Sequence, residues 1–186
     1  MELTARFDRA EALARELHSG QLRKGTEIPY LAHLLAVASL VLEDGGDEDE
    51  AIAALLHDAV EDQGGPPTLD RIREEFGDRV AAIVAACSDT DEVPKPPWRE
   101  RKQCYLDHLA DPDLPPGAVR VSLADKVHNA RAILFDLRAG RDVFARFKAP
   151  ADQQRWYYES LVERFAELTD SELVAELRRT VAAIFD

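Results

Sequence analysis

Apolar residues recur at intervals of three and four along nearly the whole chain, and no stretch alternates β-branched with polar residues, so the pattern predicts helices throughout. Phe7, Ala10, Leu13, Ala14 and Leu17 share one side of a first helix over Leu3–His18, after which Gly20 and Gly25 open a basic loop. Pro29 begins a second helix that runs to Leu42. Beyond the acidic turn Glu43–Asp47, Asp47 and Glu50 stand at capping-box spacing before a third, apolar helix over Glu48–Glu61. Gly64, Gly65, Pro66 and Pro67 break the chain; Leu69, Ile72 and Phe76 then mark a short amphipathic helix, and Arg79–Ser88 another. Asp89–Pro97 reads as a loop, Trp98–Leu109 as a helix, and Ala118–Leu137 as a longer helix after the Pro112–Gly117 break. Two more helices close the chain. Pro150 suits the opening turn of the first, and Thr169 with Glu172 has capping-box spacing at the start of the second.

At 186 residues, with 46% hydrophobic and 32% charged residues, the chain is expected to form one all-α domain over 1–186 with a real core, which excludes disordered and fibrous classes. A formal net charge of −13 repels a nucleic-acid backbone or an anionic membrane, so neither is expected as a partner. A small phosphorylated ligand remains compatible, because a few cations or a metal can reverse the potential inside one cleft. Cys87 and Cys104 form no Cys-x-x-Cys pair, so they read as buried or inert thiols and not as a zinc or redox motif. The opening residues carry Glu2, Arg6 and Asp8 in place of an apolar signal, and the longest uncharged apolar run, Ile28–Leu42, is too short to span a bilayer. A reducing cytoplasm is the expected location.

The candidate chemistry lies in three segments. Leu55 and Leu56 run into His57-Asp58-Ala59-Val60-Glu61-Asp62. In a continuous helix His57 and Asp58 point about 100° apart, able to reach one ion between them, and Glu61 and Asp62 repeat those directions a turn later. Acids near a helix C-terminus oppose its macrodipole and call for a cation, although solvated acids beside one satisfied histidine would read the same way. His33 lies on the helix after Pro29, and Asp125 sits on an otherwise apolar face where a lone carboxylate is costly, with Asn129 one turn on. His33, His57, Asp58 and Asp125 thus make a two-imidazole, two-carboxylate set suited to a divalent zinc, manganese or iron ion with open positions.

The order His…His-Asp…Asp resembles that of the HD-domain phosphohydrolases, and more narrowly the hydrolase domain of Rel/SpoT proteins and the stand-alone small alarmone hydrolases. The resemblance covers about Ala10 to Tyr158. It rests on His18-Ser19-Gly20-Gln21 with Arg23-Lys24-Gly25, on Pro29-Tyr30-Leu31-Ala32-His33, and on Ala54 through Asp62. Phe76-Gly77, Glu100-Arg101-Lys102 and Leu123-Ala124-Asp125-Lys126 with Asn129 and Arg131 follow in the same order. It implies a compact helical HD bundle with the metal, usually manganese, on His33, His57, Asp58 and Asp125. It further implies a catalytic acid pair at Glu61 and Asp62, and nucleotide contacts at Arg23, Lys24, Asn129 and Tyr157. The implied reaction removes pyrophosphate from the 3′ position of a guanosine tetra- or pentaphosphate. Three positions depart from the family pattern: Leu34 replaces a proline, Gln63 a threonine, and Gln153 a phosphate-binding arginine.

Read without the resemblance, Arg23 and Lys24 suit a diphosphate, adjacent cations between Gly20 and a metal-ligand helix in an acidic chain; Arg101 and Lys102 suit a solvated helix face. Trp156, Tyr157 and Tyr158 cannot all face one way, and of the three the resemblance assigns Tyr157 to the nucleotide. The resemblance implies supporting roles for His18 and His128, and His108 is expected at the surface. Two other readings stay open: the same site acting on adenosine alarmones, a nicotinamide dinucleotide phosphate or another nucleotide, and a catalytically silent nucleotide-binding module.

Overall fold

Thr4 starts the first helix by accepting the Arg6 N–H, and α1 spans Ala5–Leu17 with Ala10, Leu13 and Ala14 buried. The computed structural model describes residues 2–88 and 96–186, so the expected Asp89–Pro97 loop falls largely outside the described residues. α2, Leu31–Glu43, begins two residues later than Pro29 predicts. Pro29 instead bridges antiparallel to Leu22. The Arg23 N–H to Ile28 carbonyl bond (2.8 Å) and the Tyr30 N–H to Gln21 carbonyl bond (2.9 Å) tie residues 21–30 into a hairpin-like loop.

α3, Glu48–Leu56, opens on the expected capping box, with both reciprocal bonds between Asp47 and Glu50 formed. The single helix expected over Glu48–Glu61 is not found: the helix breaks at His57–Asp58, and α4 spans only Ala59–Asp62. The His57 ring bonds through Nδ1 to the Ala54 carbonyl at 2.8 Å. That carbonyl is the acceptor a continuing helix would offer the Asp58 N–H, so the side chain competes with the ladder at this point.

The chain continues through α5 (Pro66–Phe76), α6 (Asp78–Cys87), α7 (Trp98–His108) and α8 (Ala118–Arg138), then a 3-10 turn (Phe144–Arg146), α9 (Ala151–Leu168) and α10 (Glu172–Phe185). Ser171 caps α10 by accepting the Leu173 N–H. The Thr169–Glu172 box suggested by spacing does not form, because Thr169 Oγ1 takes the Ser171 N–H instead. Apart from the Leu22–Pro29 bridge the described residues hold no β-structure, and the all-α class stands. No helix among them is long and apolar enough to cross a membrane.

α8 is the central element, packed against α2, α3, α6, α9 and α10. Leu34 and Val37 of α2, Leu55 and Leu56 of α3, and Leu123 and Val127 of α8 are fully buried. Each such side chain contributes roughly 1.5–3 kcal/mol by leaving water, enough together to hold the three helices in register. Leu34 therefore does packing work where the resembled family has proline. α8 starts at Gly117, whose φ of +92° and close approach to Glu50 admit no side chain. Glu50 is buried and accepts from Arg120 at 2.6 Å, which pins the start of α8 to that of α3. Cys87 is half-buried, whereas Cys104 is exposed. The burial entertained for Cys104 is not found, because α7 turns Tyr105 and Leu106 inward.

Candidate active site

The crossing of α2, α3 and α8 brings three separated segments together. His33 comes from the first turn of α2, His57 and Asp58 from the break after α3, and Asp125 from the buried face of α8. His57 Nε2 lies 3.0 Å from Asp58 Oδ2 and 3.7 Å from Asp125 Oδ1. His33 Nε2 lies 3.2 Å from Asp125 Oδ1 and 3.6 Å from Asp58 Oδ2. One ligand atom from each of His33, His57 and Asp58 falls within 4.8 Å of the others.

The outer nitrogens of both rings are engaged. His57 Nδ1 is held by the Ala54 carbonyl, which assigns a proton to Nδ1 and turns Nε2 toward the carboxylates. His33 Nδ1 lies 2.7 Å from His128 Nδ1. Burial, with His33 and Arg23 nearby, lowers the His128 pKa to about 4. A neutral His128 can accept the His33 Nδ1 proton, which turns His33 Nε2 toward the carboxylates. Both Nε2 atoms are buried and find no hydrogen-bond partner.

Burial alone would lower the pKa of His57, but Asp58 and Asp125 outweigh it and hold the imidazole well above its usual range. Burial would raise the two carboxyls; His57 beside Asp58, and Lys126 beside Asp125, hold both well below the ordinary carboxylate range. The cluster therefore joins two ionised carboxylates to two buried imidazole Nε2 atoms that find no hydrogen-bond partner. That donor set fits a first-row divalent ion, in line with the metal dependence of HD-domain hydrolases.

Neighbouring groups hold the carboxylates in place. The Tyr30 hydroxyl donates to Asp58 Oδ2 at 2.6 Å, and burial followed by Asp58 itself pushes the phenol pKa up. Lys126 Nζ and Asn129 Nδ2 each donate to an oxygen of Asp125 at 2.5 Å. Arg23 in turn donates to Asn129 Oδ1 at 2.6 Å. Neither Tyr30 nor Lys126 was assigned a site role from sequence. The signal for Lys126 was its place beside a buried aspartate, which needs a counterion.

A cleft of about 640 Å³ adjoins the cluster, and its lining includes His33 together with Arg23, Lys24, Asn129 and Tyr157. Lys102 also lines it, above the Tyr157 ring at 5.2 Å. Gln154, and not Gln153, faces the cleft and is buried. Lys126, Arg131 and Arg146 add further cations, so the local charge opposes the chain's overall −13.

Glu61 and Asp62 lie outside that lining. Because the helix breaks at His57–Asp58, they do not repeat those side-chain directions on one continuous helix, and the expectation is corrected on that point. Asp62 Oδ2 accepts from Gln21 Nε2 at 2.8 Å, while Gln21 Oε1 faces His18 Nδ1 at 2.7 Å and Gln63 Nε2 at 2.5 Å. Burial raises the Asp62 pKa, the Gln21 bond opposes the rise, and Asp58 and Glu61 add to it.

Comparison with known proteins agrees with this fold. The family model described as HD domain matches residues 10–150. The guanosine-3′,5′-bis(diphosphate) 3′-pyrophosphohydrolase MESH1 of Xenopus tropicalis is 40% identical over 125 residues, 66% of this chain and 66% of that one. The guanosine-3′,5′-bis(diphosphate) 3′-pyrophosphohydrolase of Haemophilus influenzae is 36% identical over 125 residues, 65% of this chain and 18% of that one. The match thus spans less than a fifth of the bacterial relative and just under two thirds of the frog one. The solved structure of a metazoan orthologue of SpoT that hydrolyses ppGpp superposes with a TM-score of 0.80 at 25% identity, covering 98% of this chain and 97% of that one.

Proposed function

The chain belongs to the HD-domain family, and from that premise we propose that it is a metal-dependent 3′-pyrophosphohydrolase acting on guanosine 3′,5′-bis(diphosphate) and the corresponding pentaphosphate. One observation carries the reading: two buried, unpartnered imidazole Nε2 atoms face two carboxylates beside a cation-lined cleft. His33, His57, Asp58 and Asp125 would hold the ion, which we take to be manganese. A divalent ion there supplies Lewis acidity toward a phosphoryl oxygen and makes water more acidic.

The chain's own residues supply binding and proton handling. Arg23 and Lys24 neutralise the phosphates, Asn129 orients Arg23, and Tyr157 offers a ring face to the purine. One water is consumed: its oxygen bonds to the phosphorus carried by O3′, the P–O3′ bond breaks, pyrophosphate leaves, and O3′ takes a proton. Glu61 and Asp62 are assigned to that proton transfer, and burial raises the Asp62 pKa, the direction that suits a proton donor. A reducing cytoplasm suits Cys87 and Cys104, neither of which is in a disulfide.

The test is incubation with manganese and a panel of phosphorylated purine nucleotides, with products identified. Pyrophosphate and a nucleoside 5′-diphosphate from the guanosine substrate are expected. Orthophosphate release, faster turnover of adenosine alarmones or a nicotinamide dinucleotide phosphate, or metal binding without turnover would each refute the assignment.

A further inference from the structure

The cleft has charge at both ends and an apolar middle. On α8, Asp125 and Asp136 are eleven residues apart, about three helical turns, so they share one face within roughly 20° and stand about 16 Å apart along the axis. Between them Ala132 and Ile133 line the floor. Asp125 belongs to the metal cluster at one end; Asp136 at the other is buried and lies in the same cleft lining.

Asp136 does not make the far end negative. Its Oδ1 accepts from Arg141 and its Oδ2 from Arg146, each at 2.5 Å, so two guanidinium groups share one carboxylate. Arg141 is half exposed and lies over the Phe135 ring at 6.0 Å, outside the cleft. Arg146 lines the cleft, its side chain only 21% exposed. Its bond to Asp136 uses one of its five N–H groups.

Arg146 is also held by its stem. Gly25, at φ +70°, closes the loop that carries Arg23 and Lys24, and a Cβ there would come within 2.7 Å of Arg146 Cδ. The stem therefore lies against the substrate loop at a spot only glycine leaves open. A guanidinium fixed at head and stem gives up little rotamer entropy on meeting an anion.

An anionic end, an apolar middle and a second anionic end is the shape of a nucleoside phosphorylated at both 3′ and 5′ positions. We propose that Arg146, positioned by Asp136 and Gly25, binds the 5′-phosphates of the nucleotide and makes the site favour 5′-phosphorylated substrates. The proposal rests on the reading that a 3′-diphosphate lies at the His/Asp cluster.

The experiment has a binding arm and a turnover arm. In the binding arm, guanosine and guanosine 5′-diphosphate are titrated calorimetrically into the intact manganese-loaded protein and into Arg146→Gln and Arg146→Lys. The parent protein should bind the diphosphate about ten-fold to one-hundred-fold more tightly than guanosine, Arg146→Gln should remove that advantage, and Arg146→Lys should recover part of it. In the turnover arm, the parent's lower KM for guanosine 3′,5′-bis(diphosphate) than for guanosine 3′-diphosphate should disappear in Arg146→Gln, with kcat nearly constant. An advantage that survives in Arg146→Gln, or equal binding of both nucleotides by the parent, overturns the proposal. An Arg146-dependent binding advantage without pyrophosphate release upholds this subsite and overturns the reaction assigned above. Thermal unfolding midpoints within about 2 °C of the parent show that the variants remain folded.

Discussion

Replacing Asp125 by Asn changes charge with almost no change of shape, and two separate effects should follow. Lys126 donates to Asp125 at 2.5 Å and both side chains are largely buried, 16% and 9% exposed. Removing one partner of a buried pair typically costs about 3–5 kcal/mol, because the other charge is left without its counterion. For a chain of this length 1 kcal/mol shifts the unfolding midpoint by roughly 2–4 °C, so the metal-free variant should melt roughly 6–20 °C below the parent. The second effect is on metal linkage. An ion at about one hundred times its dissociation constant stabilises the native state by about 2.7 kcal/mol, which raises the parent's midpoint by roughly 5–11 °C. Without a carboxylate 3.2 Å from His33 Nε2 and 3.7 Å from His57 Nε2, that rise should vanish in Asp125→Asn. The assay is thermal denaturation of both proteins after chelation, with and without manganese. A variant that gains as much from manganese as the parent does would refute the role given to Asp125, whatever its activity.

Other outcomes follow from the same geometry. Glu61→Gln and Asp62→Asn should lower single-turnover rates roughly 10²- to 10⁴-fold while metal stoichiometry stays near the parent value; rescue of both by excess manganese would mean that the pair only balances charge. The Arg23→Gln/Lys24→Gln double variant should raise KM at least about ten-fold with full metal content, and parental kinetics would return these residues to a solvated loop. Burial works to raise the Asp136 pKa, but the bonds from Arg141 and Arg146 outweigh it and hold the folded value below the ordinary carboxylate one. Its stabilising contribution is therefore present above pH about 4 and lost as pH falls through the lower folded value. In urea titrations at pH 7 and pH 3, Asp136→Asn should show a smaller loss of stability on acidification than the parent, and an equal loss would refute the pairing.

Local chemistry made the helices and the four-residue cluster legible in the amino-acid order. The Asp47–Glu50 box needs only neighbours three residues apart; His33 and Asp125 stood out as polar groups on apolar faces, and His57 and Asp58 as adjacent ligand types beside an acidic helix end. Features set by a choice between competing hydrogen-bond partners were not legible. The break at His57–Asp58 depends on which carbonyl the His57 ring selects, the late start of α2 on the pairing of Leu22 with Pro29, and the cap of α10 on two hydroxyls competing for neighbouring N–H groups. Arg146 escaped notice because it follows no periodic pattern. Its position is set by Asp136 ten residues earlier and by Gly25 on a loop far away in sequence.

The Leu22–Pro29 bridge has a consequence for how this chain can tolerate insertions. It closes residues 22–29 as a small hairpin whose far side leads directly into the turn carrying His33. A residue added at Thr26–Glu27, beyond the bridge, would be absorbed as a longer hairpin tip, where insertions are best tolerated. The same residue added between Tyr30 and His33 would rotate the imidazole by about 100° and carry it off the cluster. Length variation among related chains should therefore gather at the tip of this loop and be absent from the four residues on its α2 side.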